Sequence, residues 1–331
     1  MSEFYAVRDK RATPATPDSA RISDLHSRNL QVAMYDVGAG EAIIITAPTG
    51  ESILVDGGCK RKYTSLGDGL AREIQPGSLT GFVATHPHFD HLGGIQHLLE
   101  SHRELLAPNA TFYEPGTDPV PFGNGKGAWW RKLGVALKKA KVPRRVVSRL
   151  IRPQLLGNDV DVALYAGISK KQDYQSVFMH VQFGKAAFLF TGDAYCSYEN
   201  QLLDKYAKDS VFRAHALKAT HHGGQDGTSR RLASAVKPGI AFASTFDDDG
   251  HRWETDARGR LPTRCLQLET WDRGDVVLRT DGKTIGTGML FEEDSRLPGA
   301  LAEDLKLRGS RPPYESLGKT KELACDETPS G

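Results

Sequence analysis

Four side chains able to hold a metal stand within the six residues "HPHFDH": His86, His88, Asp90 and His91. Imidazole and carboxylate are ligands for zinc and for manganese. In an extended loop His86 and His88 share one side, and Asp90 and His91 are free to face a second centre close by. The spacing therefore suits two adjacent cations. Gly93 and Gly94 let the loop turn tightly into the next element.

Two cations need more ligands than one loop supplies. "FLFTGD" ends an apolar run on Asp193, a carboxylate placed at a sheet rim where it could bridge two metals. "LKATHHGG" ends another on His221 and His222, again before paired glycines, and "FDDDGHRWE" places His251 in a turn. Strand ends that each deliver an imidazole or a carboxylate are expected to converge on one edge.

The elements that must position these residues are short. "LQVAMYDVG", "EAIIITAP", "SILVDGG" and "LTGFVATH" are β-branched or apolar runs broken by Gly and Pro, which predicts strands. "GGIQHLLESH" reads as a helix with Ile95, Leu98 and Leu99 on one face. "SVFMHVQFG", "AAFLFTGD", "HALKATHH", "GIAFAST" and "DVVLRTDG" read as later strands, with helices over "YENQLLDKYAKD" and "TSRRLASAVK". Groups of strands with helices between them predict an α+β fold, two packed sheets covered by helices in an αββα sandwich. Residues 1–28 read as a polar arm, 29–295 as the domain, and 296–331 as a polar tail.

The 331 residues are 39% hydrophobic, enough for an ordinary core. Lys plus Arg number 43 against 41 Asp plus Glu, so net charge makes no global statement about nucleic acid or membranes. Cys59, Cys196, Cys265 and Cys325 are widely spaced without a CxxC pair, which predicts neither a disulfide framework nor a cysteine-built zinc site. No apolar run approaches the ~20 residues a membrane span requires, and the first thirty residues carry no signal-peptide core. The expectation is a soluble, cytoplasmic protein.

The chain resembles the metallo-β-lactamase superfamily, whose HxHxDH signature stands unaltered at His86, His88, Asp90 and His91. Within it the likeness is to the hydrolase domain of the competence protein ComEC and its stand-alone relatives. It is carried from about residue 30 to 290 by "YDVGAGEAIII", "ILVDGG", "THPHFDHLGG", "SVFMHVQFGKAAFLFTGD", "LKATHHGG" and "GHRWE". The resemblance implies the sandwich fold, two divalent ions (zinc or manganese) and hydrolytic chemistry. It departs from the ComEC pattern where DVGQGD is replaced by a loop ending on Glu41, and where His88 replaces an Asp. The histidine that the wider superfamily places before the TGD strand is not evident. His221 is therefore expected to complete the first site, because it follows a Thr at a strand end as His86 does. His251 would then complete the second, leaving His222 nearer the substrate in a catalytic role beside Asp90. Asp56 in "LVDGG" is read as orienting a ligand imidazole, the alternative being a turn-forming Asp before two glycines. His180, inside a strand, is read as a packing residue.

Divalent ions lower the pKa of water, so a hydroxide bridging two metals is available at neutral pH, and the cations also neutralise a phosphoryl oxygen. The metals alone do not choose the substrate. Between Pro119 and Arg152, however, stand ten Lys or Arg and no Asp or Glu. In this basic insert Leu133, Val135, Ala136, Leu137 and Ala140 form an apolar stripe, with Arg131, Lys132, Lys138, Lys139 and Lys141 on the solvent side and Trp129 and Trp130 ahead of it. Phosphates on charges and bases on rings would bind nucleic acid, DNA or RNA, with Lys60 extending the positive field. The reading is a metal-dependent nuclease or phosphodiesterase. Its alternatives are a small-molecule phosphodiesterase of the phosphorylcholine-esterase kind and a binding module without catalysis.

Overall fold

Alternation within each apolar run decides which way its side chains face. In β2 (Ala42–Thr46), Ile43 and Ile45 enter one core and Ile44 another, so the whole strand is buried. The same holds for β1 (Leu30–Met34), β3 (Ser52–Asp56) and β4 (Leu79–Val83). The computed structural model describes residues 29–38, 40–58, 70, 74–116, 128–167, 175–246 and 252–288. The arm at 1–28 and the tail at 296–331 lie outside the described residues.

Two sheets result. In the eight-stranded sheet β14 (Ile285–Gly288), β13 (Val276–Thr280), β1, β2 and β3 run antiparallel to their neighbours, and β4, β5 (Leu106–Glu114) and β6 (Arg144–Val146) continue from β3 in parallel. The six-stranded sheet repeats that plan. β7 (Val160–Tyr165), β8 (Phe178–Phe183) and β9 (Ala186–Phe190) are antiparallel, and β10 (Ala216–Lys218), β11 (Ile240–Ala243) and β12 (Leu266–Glu269) extend from β9 in parallel. Val32, Ile43, Ile53, Val83, Leu164, Phe188, Phe190 and Phe242 fill the space between the sheets.

Helices cover the outer faces. α1 (Phe89–Ser101) buries Leu92, Ile95, Leu98 and Leu99 against the first sheet, and α2 (Ala128–Ala140) lies beside it with Leu133, Ala136 and Leu137 inward. Val135, expected in that stripe, is 53% exposed and belongs to the solvent side. α3 (Cys196–Lys205) and α4 (Arg230–Val236) seat Tyr198, Leu202 and Leu232 on the second sheet. The αββα sandwich is as expected. Strands β5, β6, β7, β12 and β14 were not evident in the sequence. β5 carries Pro108 and Asn109, buries its residues irregularly, and meets β4 through a register shift, so it shows no clean two-residue period.

One expectation is corrected outright. Cys196 is disulfide-bonded, while Cys265 is a free buried thiol. Sequence separation did not preclude pairing, since the fold and not the chain distance sets the approach of two sulfurs. No helix among the described residues is long and apolar enough to cross a membrane.

Phe190 is fully buried between the sheets and meets the Phe242 ring edge-on at 6.1 Å. Phe190→Ala is expected to cost about 3–5 kcal/mol in urea-unfolding free energy with an unchanged slope.

Candidate metal centre

Parallel strands present their carboxyl ends to one rim, where loops collect functional groups. β3 delivers Asp56, β4 leads through Thr85 to His86, β9 to Asp193, β10 to His221 and His222, and β11 to Ser244. The two sheets meet there: Val177 donates its backbone N–H to the Thr85 carbonyl at 2.8 Å, and the Ser244 hydroxyl donates to Gly40 O at 2.7 Å.

Asp56 is completely buried. Its Oδ1 accepts from the Thr85 backbone N–H at 2.9 Å, and its Oδ2 accepts from the Thr85 hydroxyl at 2.6 Å and from His91 Nδ1 at 2.7 Å. With its proton given to Asp56, the Thr85 oxygen is free to accept from His86 Nδ1, 3.1 Å away. His222 Nδ1 donates to the Ser244 carbonyl at 3.0 Å. Each of the three rings thus carries a proton on Nδ1, so Nε2 is the atom whose lone pair, free in the neutral ring, is offered to another partner.

Those lone pairs gather. His91 Nε2, His222 Nε2 and His86 Nε2 lie 3.1, 3.2 and 3.7 Å from Asp193 Oδ2, and Asp90 Oδ2 is 3.8 Å from His91 Nε2. The His88 ring stands 4.3 Å from that of His86, centre to centre. His86 Nε2 and His91 Nε2 are buried without a hydrogen-bond donor. A buried acceptor with no partner is costly, and divalent cations are what a group of imidazole lone pairs and carboxylate oxygens would satisfy. Donor atoms of His86, His91 and Asp193, and of Asp90, His91 and His222, fall within 4.8 Å of one another. The donor set fits divalent metals.

The histidine pair is placed the other way round from expectation. Both residues adopt left-handed backbone, with φ of 51° and 55°, so successive side chains leave the turn in different directions. His222 turns inward to Asp193. His221 is one-third exposed, binds Asp226 Oδ1 through Nδ1 at 2.7 Å, and stacks on Tyr195. Gly223 must be glycine, because a Cβ there would lie 2.3 Å from the Trp253 ring. His251 and Lys60 lie outside the described residues. His180 is a packing residue whose Nε2 contacts the Arg213 carbonyl at 3.0 Å.

Two residues that sequence reasoning passed over also reach the centre. Lys218 and Glu41 are both fully buried and form an ion pair, and Lys218 Nζ lies 3.5 Å from Asp193 Oδ1. A lysine inside the apolar run of "HALKATHH" was the available signal. Burial opposes charge on His91, but Asp193, Asp56 and Asp90 outweigh it and raise its pKa well above the usual range. His86 moves the other way, lowered well below it by burial and then by the neighbouring His91. Asp193 is disfavoured as an anion by burial, yet His222, His91, Lys218 and His86 hold its pKa well below the ordinary value.

The basic insert meets the rim at one end. β5 ends at the rim and β6 runs parallel to it, so α2 between them must lead away from the rim. Arg131 and Lys132 lie near its start, and Lys138 and Lys139 about 10 Å further along at 1.5 Å per residue. All four are exposed. Trp130 is half-buried against the core with the Arg144 guanidinium 4.9 Å over its ring, and Arg144 donates three bonds to buried Glu114. That face of Trp130 is covered, so it is no open stacking platform. The side chain of Trp129 lies outside the described residues.

Asp56→Asn is expected to weaken divalent-metal binding about 10–100-fold by calorimetry, because the His91 and His86 rings lose their common anchor. A cation must displace the proton that the raised pKa keeps on His91. Metal affinity should therefore climb as pH rises from below the ordinary imidazole range to above it, with proton release visible as a buffer-dependent binding enthalpy.

Residues 35–245 match the family described as the metallo-beta-lactamase superfamily. Among curated relatives, the chain is 23% identical over 65% of its length to ComE operon protein 3 of Bacillus subtilis, and 27% identical over the same share to Recombination protein 2 of Haemophilus influenzae. It spans only 28% and 24% of those proteins. Among solved structures, the metallo-beta-lactamase fold protein YhfI of Bacillus subtilis aligns over 76% of this chain and all of that one, at 12% identity and a TM-score of 0.49. With the family match extending over more than half of the sequence, and with the sandwich and the HxHxDH loop in place, the chain belongs to the metallo-beta-lactamase superfamily.

Proposed function

We propose that this superfamily hydrolase is a phosphodiesterase acting on nucleic acid. The observation that carries the reading is the joining of a buried imidazole and carboxylate cluster to a helix whose exposed face is cationic and which starts at the same rim. His86, His88 and Asp193 would hold one divalent cation, zinc or manganese, and Asp90, His91, Asp193 and His222 a second. When bound, such cations lower the pKa of water and neutralise charge on a scissile phosphoryl group. The remaining tasks fall to the chain itself. Asp56 keeps two rings in one tautomer, and Ser244 does the same for His222. His221, held by Asp226 and Tyr195 at the edge of the cluster, takes the substrate-facing role first expected of His222.

Arg131, Lys132, Lys138 and Lys139 supply phosphate contacts along α2. A small phosphodiester at the rim would not reach the last two, whereas a strand of several nucleotides would. Recombination protein 2 is named for recombination, a process on DNA, and its likeness to this chain supports the same substrate class.

Two variants test the reading. Asp90→Ala should abolish cleavage of single-stranded oligonucleotides and of bis-p-nitrophenyl phosphate alike. Replacing Arg131, Lys132, Lys138 and Lys139 with Ala should weaken oligonucleotide binding and flatten its salt dependence, with turnover of the small substrate within about two-fold of wild type. Equal salt dependence in the two proteins would instead assign the small-molecule reading.

A further inference from the structure

The proposed ligand set leaves out two buried charges that touch it. Lys218, at the end of β10, has no exposed surface. Its Nζ donates to the Gly192 carbonyl at 3.0 Å, lies 3.5 Å from Asp193 Oδ1 and forms an ion pair with Glu41. Glu41 is equally buried, and one of its carboxylate oxygens lies within 4.8 Å of donor atoms of both Asp193 and His222. By distance alone Glu41 is as eligible to bind a cation as Asp90.

Lys218 decides otherwise. Its ammonium already occupies the space between Glu41 and Asp193, and it divides the Asp193 carboxylate: Oδ1 faces Lys218, Oδ2 the three imidazole nitrogens. Charge makes the same point. Asp56, Asp90, Asp193 and Glu41 bring four negative charges to the rim, and Lys218 returns one. Two divalent cations would then leave the loaded centre with one positive charge in excess, suited to an anionic substrate. Without the ammonium the charges would only cancel, and a free Glu41 would invite a further cation.

We infer that the Lys218 ammonium serves as a resident third cation of the centre, keeping Glu41 out of the metal shell and holding Asp193 so that Oδ2 alone faces the imidazoles that would share a metal with it. Lys218 is thus a positioning residue, and the inference rests on the metal reading above. It also gives a role to the loop in which Glu41 stands. Gly40, before it, packs so closely that a Cβ would lie 1.8 Å from the Asp90 carbonyl.

The test counts bound metal and needs no substrate. Wild type, Glu41→Gln, Lys218→Met and the double variant are titrated with Mn²⁺ and with Zn²⁺ by calorimetry, and metal content is measured after gel filtration. Wild type and Glu41→Gln should each bind two cations with affinities within about three-fold. Lys218→Met should acquire an additional binding event, which the double variant, with neither buried charge, loses again. If Lys218→Met folds only when Mn²⁺ is added, the ion is replacing the ammonium and the inference stands. If it does not fold at all, Glu41→Gln decides: two retained cations support the inference. Loss of a cation in Glu41→Gln makes Glu41 a ligand and overturns it, as does a Lys218→Met protein with wild-type stoichiometry and affinity. Should wild type bind no divalent cation, the metal reading falls and takes this inference with it. A wild type with two cations and an indifferent Lys218→Met removes the inference alone.

Discussion

The centre is organised by one buried carboxylate. Asp56 accepts three hydrogen bonds, two from Thr85 and one from His91, and the Thr85 hydroxyl passes the constraint on to His86. A carboxylate with no water around it must be paired or hydrogen-bonded, and this one is satisfied only by groups whose orientation the site requires. Its own need for partners thus fixes the tautomer of two imidazoles. Burial of Asp56 at the end of β3 is in turn a consequence of the sandwich, because β3 is an interior strand covered on both faces.

The second sheet contributes in the same manner but through backbone. His222 is held by the Ser244 carbonyl, and the Ser244 hydroxyl reaches across to Gly40 in the first sheet. A ligand loop from each sheet is therefore tied to the other at the rim. The core between the sheets, with Phe188, Phe190 and Phe242 against Ile43, Ile45 and Val55, sets the separation at which these short bonds can form. Packing and chemistry are linked at this point: a shift of an ångström between sheets would lengthen the bonds beyond hydrogen-bonding range.

Charge is distributed unevenly over the molecule despite the near-zero net value. Four carboxylates, Glu41, Asp56, Asp90 and Asp193, meet at the rim, and basic side chains line the outside of α2. Within that basic region Arg144 is engaged with Glu114 and Trp130 and serves the fold, and the side chains of Arg131, Lys132, Lys138 and Lys139 are exposed along α2. The chain spans about a quarter of the curated relatives it matches, so the relation concerns a hydrolase-fold portion of those longer proteins.

Much was legible without coordinates. The density of His and Asp in "HPHFDH", the strand ends carrying Asp56, Asp193 and the His221–His222 pair, and the period of α1 are local patterns, and local patterns survive in sequence. Strands with such a period were recognised, and β5, with Pro108 and Asn109 inside it, was not. What the sequence could not decide is which of two adjacent histidines faces inward, since that depends on two left-handed backbone conformations in succession. Nor could it decide that Lys218 and Glu41, far apart in the chain, would meet in a space without water. Composition and spacing determine which chemistry is available. The three-dimensional approach of strand ends from two sheets determines which groups share a buried volume, and so which must be paired, because the cost of an unpaired charge exists only once the fold has removed its water.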